Sequence, residues 1–410
     1  MEKNGNSYKA FYGVISARLV SNFGTFLNMI AINTFILEVT NSAAILGIAF
    51  ASRIIAGTIA SFYIGDIADR FNRKFLMIFS DIILAVFMFL LIFIPKPFVV
   101  PYIIFLMALI GVFSSLFEVS LQAAIPVILN EEDTLKANSI FSGGKNIVVA
   151  IAGLCAVFAK QIFNGYNAIF ALDAASYAFS AIVLMSITFK TNVNVPHKTR
   201  EKMTFKNIVN SYKEIGALPN ARVIYVCLAI LFIDAFASAS HNIGWPIFSK
   251  ELNPGSPMYY YGLILMFWAF GNIAGIYYLN KLKFLHKLKP ERLYIFFTAV
   301  MSFGMIMIFQ TPFLYVIILA AFIAGLGDGT YQTFYATYAQ KVKDDLRGKV
   351  FALTSFVLKT GFGLGFVAVP LMLKFLPVNK TVLWFHLPVM IICIVYLIFA
   401  NQKRGLALQV

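Results

Sequence analysis

Acidic side chains inside long apolar stretches are the residues of this chain whose type and position could do chemistry. Glu118, Asp234 and Asp328 each lie well inside such a stretch. A charge at the centre of a bilayer costs roughly 2.5–3.5 kcal/mol, so it usually faces protein or a water-filled cavity and marks an ion or substrate path. The chemistry predicted here is therefore binding of a proton or of a charged group.

Asp328 is the strongest single candidate. It lies within Gly325-Leu-Gly-Asp-Gly329. Three glycines weaken a helix, so the sequence predicts a hinge, or free carbonyl groups, beside the carboxylate. A carboxylate removed from water can hold a proton near neutral pH. The alternative is a structural Asp328 that pairs with Lys359.

Two further groups have open interpretations. Asp234 lies near His241, whose ring could titrate in the physiological range or could only donate a hydrogen bond from a cavity wall. Glu118 and Lys145 lie at similar depths, so they could neutralise each other, with Arg18 joining them. Otherwise they bind substrate or transfer protons.

Polar side chains recur at helical spacing, and so on one helix face, in the first, fourth, seventh and tenth apolar stretches. The four stripes are Arg18, Asn22, Thr25 and Asn33; Ser114, Glu118 and Gln122; Asp234, Ser238, His241 and Trp245; and Asp328, Tyr331, Gln332 and Tyr335. We predict substrate or proton binding for Arg18, Asn22, Glu118, Asp234, His241, Asp328, Tyr331, Gln332 and Tyr335, and charge balance for Lys145 and Lys359.

The composition requires a membrane. Hydrophobic residues are 60% and charged residues 12% of the chain, against about 25% charged in soluble domains. Lipid offers no partner to the backbone, so apolar stretches of about 20 residues must be helices. We predict an all-α membrane protein with twelve transmembrane helices. Their approximate ranges are 12–37, 43–64, 75–94, 99–128, 138–159, 166–189, 221–248, 258–280, 292–310, 313–340, 348–373 and 382–400.

Basic residues predict the orientation and the domains. Most of the 33 Lys and Arg residues fall in alternate loops, which places both termini in the cytoplasm. The net charge of +15 is thereby explained by an anionic membrane surface rather than by nucleic acid. Residues 190–220 separate six-helix bundles at 1–189 and 221–410. This linker is either an amphipathic surface helix, with Phe205, Ile208, Val209, Tyr212 and Ile215 on one face, or a disordered segment.

Enzyme, metal and leader signals are absent from the sequence. Gly143-Gly-Lys145 lacks the other residues of a phosphate loop, and the four histidines form no HExxH motif. The three cysteines lie inside predicted spans, so we expect no disulfide and no metal site. The first span is too long for a cleaved signal peptide. With no ATPase unit, energy would come from a gradient, and no cofactor is expected.

The loop between the second and third stretches resembles a motif of the major facilitator superfamily, Gly-x-x-x-Asp-Arg-x-Gly-Arg-Lys/Arg. Gly65, Asp69, Arg70, Arg73 and Lys74 match it, and Asn72 replaces the second Gly. Asn tolerates a left-handed turn. The resemblance implies two pseudo-symmetric bundles, a charged network of these loop residues that gates the inner mouth, and a cavity lined by spans one, four, seven and ten.

The resemblance also implies that spans two and eleven meet. The spacing of Gly57, Ser61 and Gly65 in span two, and of Gly361 and Gly365 in span eleven, suits close packing of helices.

Shorter pieces resemble the macrolide-efflux and enterobactin-exporter-like branch of that superfamily. They are Arg18 with Ser21-Asn-Phe-Gly24, Asp81, Leu135-Lys-Ala-Asn-Ser139, Leu172-Asp-Ala-Ala-Ser176 and Arg347-Gly-Lys-Val350. Span five lacks the Gly-Pro-x-x-Gly motif of many antiporters. Arg53, Asp81 and Asp173 lie in helices expected outside the cavity and are read as structural or gating residues.

The resemblance implies a monomeric secondary transporter of a bacterial-type inner membrane. We expect proton-coupled export of an amphipathic drug-like compound or siderophore by alternating access. The alternatives are an importer or lipid flippase on the same fold, and a non-transporting membrane receptor.

Overall fold

The computed structural model describes the backbone of residues 2–129, 131–163, 165–188, 213, 216, 221–277, 281–282, 285, 288–340 and 344–407. The chain forms two compact units, Met1–Asn207 and Ile208–Val410. Nearly all of the 190–220 linker lies outside the described residues, so its amphipathic helix stays a prediction.

Six long helices make up the first unit. A 3₁₀ turn, Leu91–Phe93, extends the third of them, and a single helical turn, Ala159–Ile162, precedes the sixth. Ser42 caps the second helix by accepting a hydrogen bond from the Ile45 amide at 3.3 Å. The helices are α1 Glu2–Thr40, α2 Ala43–Arg70, α3 Arg73–Leu90, α4 Lys96–Ile128, α5 Glu131–Val157 and α6 Tyr166–Ser186.

The second unit also has six long helices. Pro246, Pro370 and Pro388 lie inside three of them without ending them. They are α7 Ala221–Leu252, α8 Met258–Tyr277, α9 Pro290–Phe309, α10 Leu314–Gln340, α11 Asp344–Met372 and α12 Val378–Ala407. No strand occurs in the described part of the chain, and the predicted all-α fold with twelve long helices is confirmed.

Eleven of these helices are long and apolar enough to cross a membrane. The exception is α5, whose shorter apolar part in the described residues is Gly143–Val157. The side chains of 131–139 and 142 lie outside the description, so the predicted span 138–159 is only partly visible. The 27 residues of α5 make a helix of about 40 Å, which exceeds the roughly 30 Å of a bilayer core.

The two units repeat one packing pattern. In the first unit α1 packs on α5 and α6, α2 packs on α4, and α3 packs on α4 and α6. In the second unit α7 packs on α11 and α12, α8 packs on α10, and α9 packs on α10 and α12. Each helix thus has a counterpart six helices later, although residue-level repetition between the halves is not apparent in the sequence.

Glycines bring α10 into backbone contact with both of its neighbours. Gly325 faces the Trp268 backbone on α8, and Gly327 faces the Met301 backbone on α9. Gly329 lies against the carbonyl of Asn272 on α8. In this structure α10 is one continuous helix whose glycines serve close packing, and the hinge stays a prediction.

Small residues on α2 and α11 also serve packing inside their own units. Gly57 lies against the Gly111 backbone on α4. Gly361 and Gly365 lie against the backbone of α7, next to Phe232 and Phe236. The close packing predicted from their spacing therefore has identified partners.

A methyl group at Gly325 should separate α8 from α10. Its Cβ would overlap the Trp268 carbonyl, whereas a Cβ at Gly363 of α11 meets no atom within 4 Å. We expect Gly325→Ala to lower the unfolding temperature measured in detergent. Gly363→Ala should leave it unchanged or raise it, because Ala favours a helix by about 1 kcal/mol over Gly. Equal effects of the two substitutions would contradict the packing account.

Candidate functional site

The second unit holds a carboxylate whose two oxygens are both satisfied by amides. Asp328 on α10 is 7% exposed. Its Oδ2 accepts a hydrogen bond from Asn272 Nδ2 at 2.7 Å, and its Oδ1 accepts one from Gln332 Nε2 at 2.9 Å. Asn272 reaches it because Gly329 lets α8 approach α10 at that level.

A second carboxylate lies beside the first and shares a tyrosine with it. Asp234 on α7 is 2% exposed, and its Oδ2 accepts a hydrogen bond from the Tyr331 hydroxyl at 3.3 Å. Tyr331 also faces Asp328, and the two carboxylates lie within electrostatic range of each other. The other oxygen of Asp234 accepts no hydrogen bond.

No ion pair within the described residues neutralises Asp234 or Asp328. The predicted pair of Asp328 with Lys359 is wrong, because amides from α8 and α10 occupy both Asp328 oxygens. Two like charges in a buried site repel and lose their hydration. Binding one proton would remove the repulsion and leave one buried charge instead of two, so this pair has the chemistry to bind a proton or a cationic group.

Three tyrosines form a cluster next to the carboxylate pair. Tyr294 of α9 contacts the rings of Tyr331 and Tyr335 edge-on or tilted, with centroids 5.7 and 5.2 Å away. The Tyr294 hydroxyl donates to the Cys227 carbonyl at 3.1 Å, and the Tyr335 hydroxyl lies 2.5 Å from that of Thr354 on α11. The predicted Tyr331 and Tyr335 therefore belong to one aromatic cluster next to Asp234.

His241 belongs to a buried hydrogen-bonded chain. Its Nδ1 lies 3.0 Å from Nε2 of His386 on α12, and His386 Nδ1 lies 3.3 Å from the Ser302 hydroxyl on α9. The ring of Trp245 packs on His241 at 4.7 Å. His241 thus has an interhelical partner that the sequence reasoning missed, because nothing along the chain relates α7 to α12.

In the first unit the predicted charges meet in a different pairing. Arg18 Nη2 on α1 lies 2.8 Å from Glu118 Oε1 on α4, and the guanidinium lies over the Phe117 ring at 4.2 Å. Of the predicted group of Glu118, Lys145 and Arg18, the direct ion pair is between Arg18 and Glu118, while Lys145 lies within electrostatic range of both. Lys145 is exposed and lies 5.9 Å from the centre of the Phe26 ring.

Polar residues of α1 near this ion pair are buried too. Asn22 is 6% exposed, and its Nδ2 makes no hydrogen bond. The hydroxyl of Thr25 and the hydroxyl of Tyr177 on α6 form a hydrogen bond of 2.8 Å. The Arg18–Glu118 pair therefore has an unsatisfied amide, Asn22, on the next turn of α1, where a polar ligand group could bind.

The basic loop residues hold the ends of neighbouring helices. Arg73 Nη1 donates to the Ala123 carbonyl of α4 at 2.7 Å. Lys74 Nζ donates to the carbonyls of Met185 and Ile187, at 3.1 and 2.7 Å, where α6 ends. A cation at a helix C-terminus interacts favourably with the helix dipole. Arg70 is exposed, and the side chains of Gly65 and Asp69 lie outside the description.

Asn72 does not take the left-handed conformation predicted for it. Its φ is −61°, and its side chain accepts hydrogen bonds from the amides of Lys74 and Phe75 at 2.9 and 3.2 Å. It is the N-cap of α3, a role for which Asn is among the preferred residues.

Twelve long helices in two equivalently packed units, with buried ionisable residues and no enzyme motif, define the class of multi-pass membrane transporters. The sequence matches the Major Facilitator Superfamily over residues 14–365. The chain belongs to that family and is a transporter, not an enzyme.

Relatives and solved structures agree with this assignment. The chain is 23% identical over its full length to the full length of macrolide efflux protein A of Streptococcus pyogenes. It is 23% identical to the staphyloferrin A transporter of Staphylococcus aureus, over 80% of this chain and 81% of that protein. The fold resembles the nucleoside transporter NupG, with a TM-score of 0.76, 10% identity, and coverage of 94% and 98%. It also resembles the xylose transporter XylE of E. coli, with a TM-score of 0.69, 13% identity, and coverage of 95% of both chains.

Removing the Lys74 ammonium should loosen the end of α6. Lys74→Met leaves the Met185 and Ile187 carbonyls without this donor, at a cost of about 1 kcal/mol. We expect faster amide hydrogen exchange in the last turn of α6, measured by mass spectrometry. Lys374→Met, which removes an exposed lysine of the second unit, serves as the control. Unchanged exchange in α6 would show that these hydrogen bonds do not hold the helix end.

Proposed function

We propose that the protein is a secondary active transporter that exports an amphipathic small molecule in exchange for protons, by alternating access. The observation that carries the proposal is the buried pair Asp234 and Asp328, which shares Tyr331 and has no basic counter-ion in the described residues. A proton-coupled transporter needs a group whose charge changes with a bound proton and whose site lies among membrane helices. A buried carboxylate pair on α7 and α10 supports this assignment.

The relatives support export and the class of substrate. Macrolide efflux protein A carries efflux in its name, and the staphyloferrin A transporter handles a siderophore by its name. We infer a drug-like compound or a siderophore for this chain as well. Tyr294 and Tyr331 are buried, and the half-buried Tyr335 is the member of this cluster that offers a flat apolar ring, which suits a substrate with both a ring and a charge.

The two sites favour opposite charges on the substrate. Asp234 would attract a cationic group, while Arg18 and the exposed Lys145 would attract an anionic one. Because Arg18 is already paired with Glu118 at 2.8 Å, a carboxylate or catecholate ligand would have to compete with Glu118. We therefore favour a ligand whose cationic group binds in the second unit.

The proposed location is a cytoplasmic membrane, with a monomer as the working unit and both termini inside. The distribution of Lys and Arg supports this orientation. In that orientation Arg73 and Lys74 lie at the cytoplasmic ends of their helices, and the loop that contains them would regulate opening of the inner mouth.

Import, or movement of a lipid, on the same fold is the second candidate function. The buried, amide-held Asp328 would serve an importer equally well, because coupling fixes the ion and not the direction. A non-transporting receptor is disfavoured by the intact buried charges.

Reconstituted liposomes test coupling and direction together. With a pH gradient imposed, lipophilic cations and siderophores of the carboxylate and catecholate types are added while proton flux and substrate flux are recorded. We expect substrate-evoked proton flux that Asp328→Asn abolishes, because the amide cannot bind and release a proton. Glu251→Gln, at the exposed end of α7, should retain it.

The alternative outcomes separate the candidates. Substrate flux without protons, unchanged by Asp328→Asn, would contradict proton coupling. Uptake into right-side-out vesicles, with no uptake into inverted vesicles, would favour an importer. Binding without any flux would favour a receptor.

The Asn272 amide should set the pH at which the carrier works. The Asn272 amide donates to Asp328 at 2.7 Å, and such a donor stabilises the charged carboxylate more than the neutral acid. Asn272→Leu removes the donor and so favours the protonated form of Asp328. The pH of half-maximal transport should therefore move upward. Asn242→Leu, which removes only an amide that donates to the Ser238 carbonyl on its own helix, is the matched control. A profile that stays in place would show that Asn272 does not act on the proton site.

A further inference from the structure

Three basic side chains of the first unit lie close to one carboxylate in the part of the chain that the structure describes. The Lys145 ammonium on α5 lies within electrostatic range of Glu118 on α4, Arg18 on α1 and Arg53 on α2. Two of these three neighbours are positive and repel the ammonium, and the carboxylate attracts it. A group of like charges with too few counter-ions attracts an anion.

The buried acids of this unit do not compensate Lys145. Asp81 on α3 lies within electrostatic range of Arg18, and Asp173 on α6 lies within range of Arg53. Neither acid is among the groups that act on Lys145. Lys145 is thus the member of the cluster whose counter-ion is already held by another cation, at 2.8 Å.

The contact between Arg18 and Glu118 uses only part of each side chain. Arg18 Nε and Nη2 both donate to the same oxygen, Glu118 Oε1, at 3.3 and 2.8 Å. A bidentate pair would use both carboxylate oxygens, whereas Glu118 Oε2 takes no part in this contact. The Glu118 side chain is also 34% exposed. Its carboxylate can therefore turn outward and be replaced by the carboxylate of a ligand.

The same face of α1 offers an amide donor and an aromatic ring. Arg18, Asn22 and Phe26 are four residues apart, so they follow one another along one helix face. The ammonium of the exposed Lys145 lies within electrostatic range of Arg18 and 5.9 Å from the centre of the half-buried Phe26 ring. Asn22 lies between these two levels, and its buried amide nitrogen donates no hydrogen bond. An acceptor oxygen of a ligand would satisfy that nitrogen.

We propose that the face formed by α1, α4 and α5 binds a carboxylate carried on an apolar or aromatic body. Lys145 is its main counter-ion, and Glu118 is the built-in group that it displaces. The ligand carboxylate lies beside Lys145 and Arg18, and its body packs on Phe26. That this carboxylate belongs to the transported compound rests on the proposed function, whereas binding of the anion does not.

Thermal unfolding of the purified full-length protein in detergent tests the site without any transport. At constant pH and ionic strength, benzoate in place of chloride should raise the unfolding temperature by roughly 2 °C, since a ligand of the native state stabilises it. Benzamide, which has the same ring and no charge, should not. Lys145→Met should abolish the rise and Lys145→Arg should retain it. Lys374→Met, which removes an exposed lysine of the second unit, is the matched control and should respond as the wild type does.

A variant with the opposite expected effect guards against simple misfolding. Glu118→Gln removes the competing carboxylate, so it should lower the half-saturating benzoate concentration by about two- to fivefold, the gain expected when a half-exposed ion pair no longer has to be broken. A damaged fold would only weaken binding. Equal benzoate responses of the wild type and Lys145→Met, or an equal response of the wild type to benzamide, would overturn the proposal.

The link to transport is tested separately from proton coupling. Asp328→Asn should bind benzoate as the wild type does, so loss of proton flux in that variant leaves the anion site readable. In liposomes, Lys145→Met should lower the flux of carboxylate siderophores more than the flux of lipophilic cations. Equal losses of the two fluxes would contradict a carboxylate on the transported compound.

Discussion

Backbone contact between α10 and its neighbours α8 and α9 is the constraint on which the candidate site depends. Gly325, Gly327 and Gly329 have no side chains, so the backbone of α10 directly contacts the backbones of α8 and α9. At that distance the Asn272 amide of α8 reaches Asp328 of α10 at 2.7 Å. In lipid, helix association has no hydrophobic driving force and rests on such packing and on interhelical hydrogen bonds. The same glycines therefore hold the unit together and position its carboxylate.

Charge compensation differs between the two units. The first unit pairs Arg18 with Glu118 and leaves Asp173 and Asn28 incompletely bonded. The second unit contains a carboxylate pair that shares Tyr331, in which amides instead of cations hold Asp328. Amide donors and an ion pair both favour the charged form of a carboxylate, but a nearby positive charge does so more strongly, and in the described residues no positive group faces Asp234 or Asp328. That difference makes the second unit the better site for a proton that must come and go.

How much the sequence predicts depends on whether a feature is local. Helix number, the membrane class and the position of Asp328 follow from apolar runs and from a charge within them. Partners across helices do not, because the sequence does not specify which helix faces which: Lys359 was the one partner considered for Asp328, and the structure places Asn272 there. Asn72 was expected in a left-handed turn, yet it caps α3, since α3 begins at the very next residue. The glycines beside Asn272 and the lone His386 in α12 were available signals for the contacts that were missed.

The central claim is that Asp234 and Asp328 share one exchangeable proton, and infrared spectroscopy of the purified protein tests it directly. The carbonyl stretch of a neutral carboxylic acid is separate from the bands of carboxylates. Near neutral pH, wild-type minus Asp328→Asn and wild-type minus Asp234→Asn difference spectra should each contain this band, and added base should remove it. Spectra that contain no such band at any pH at which the protein stays folded would contradict the shared proton.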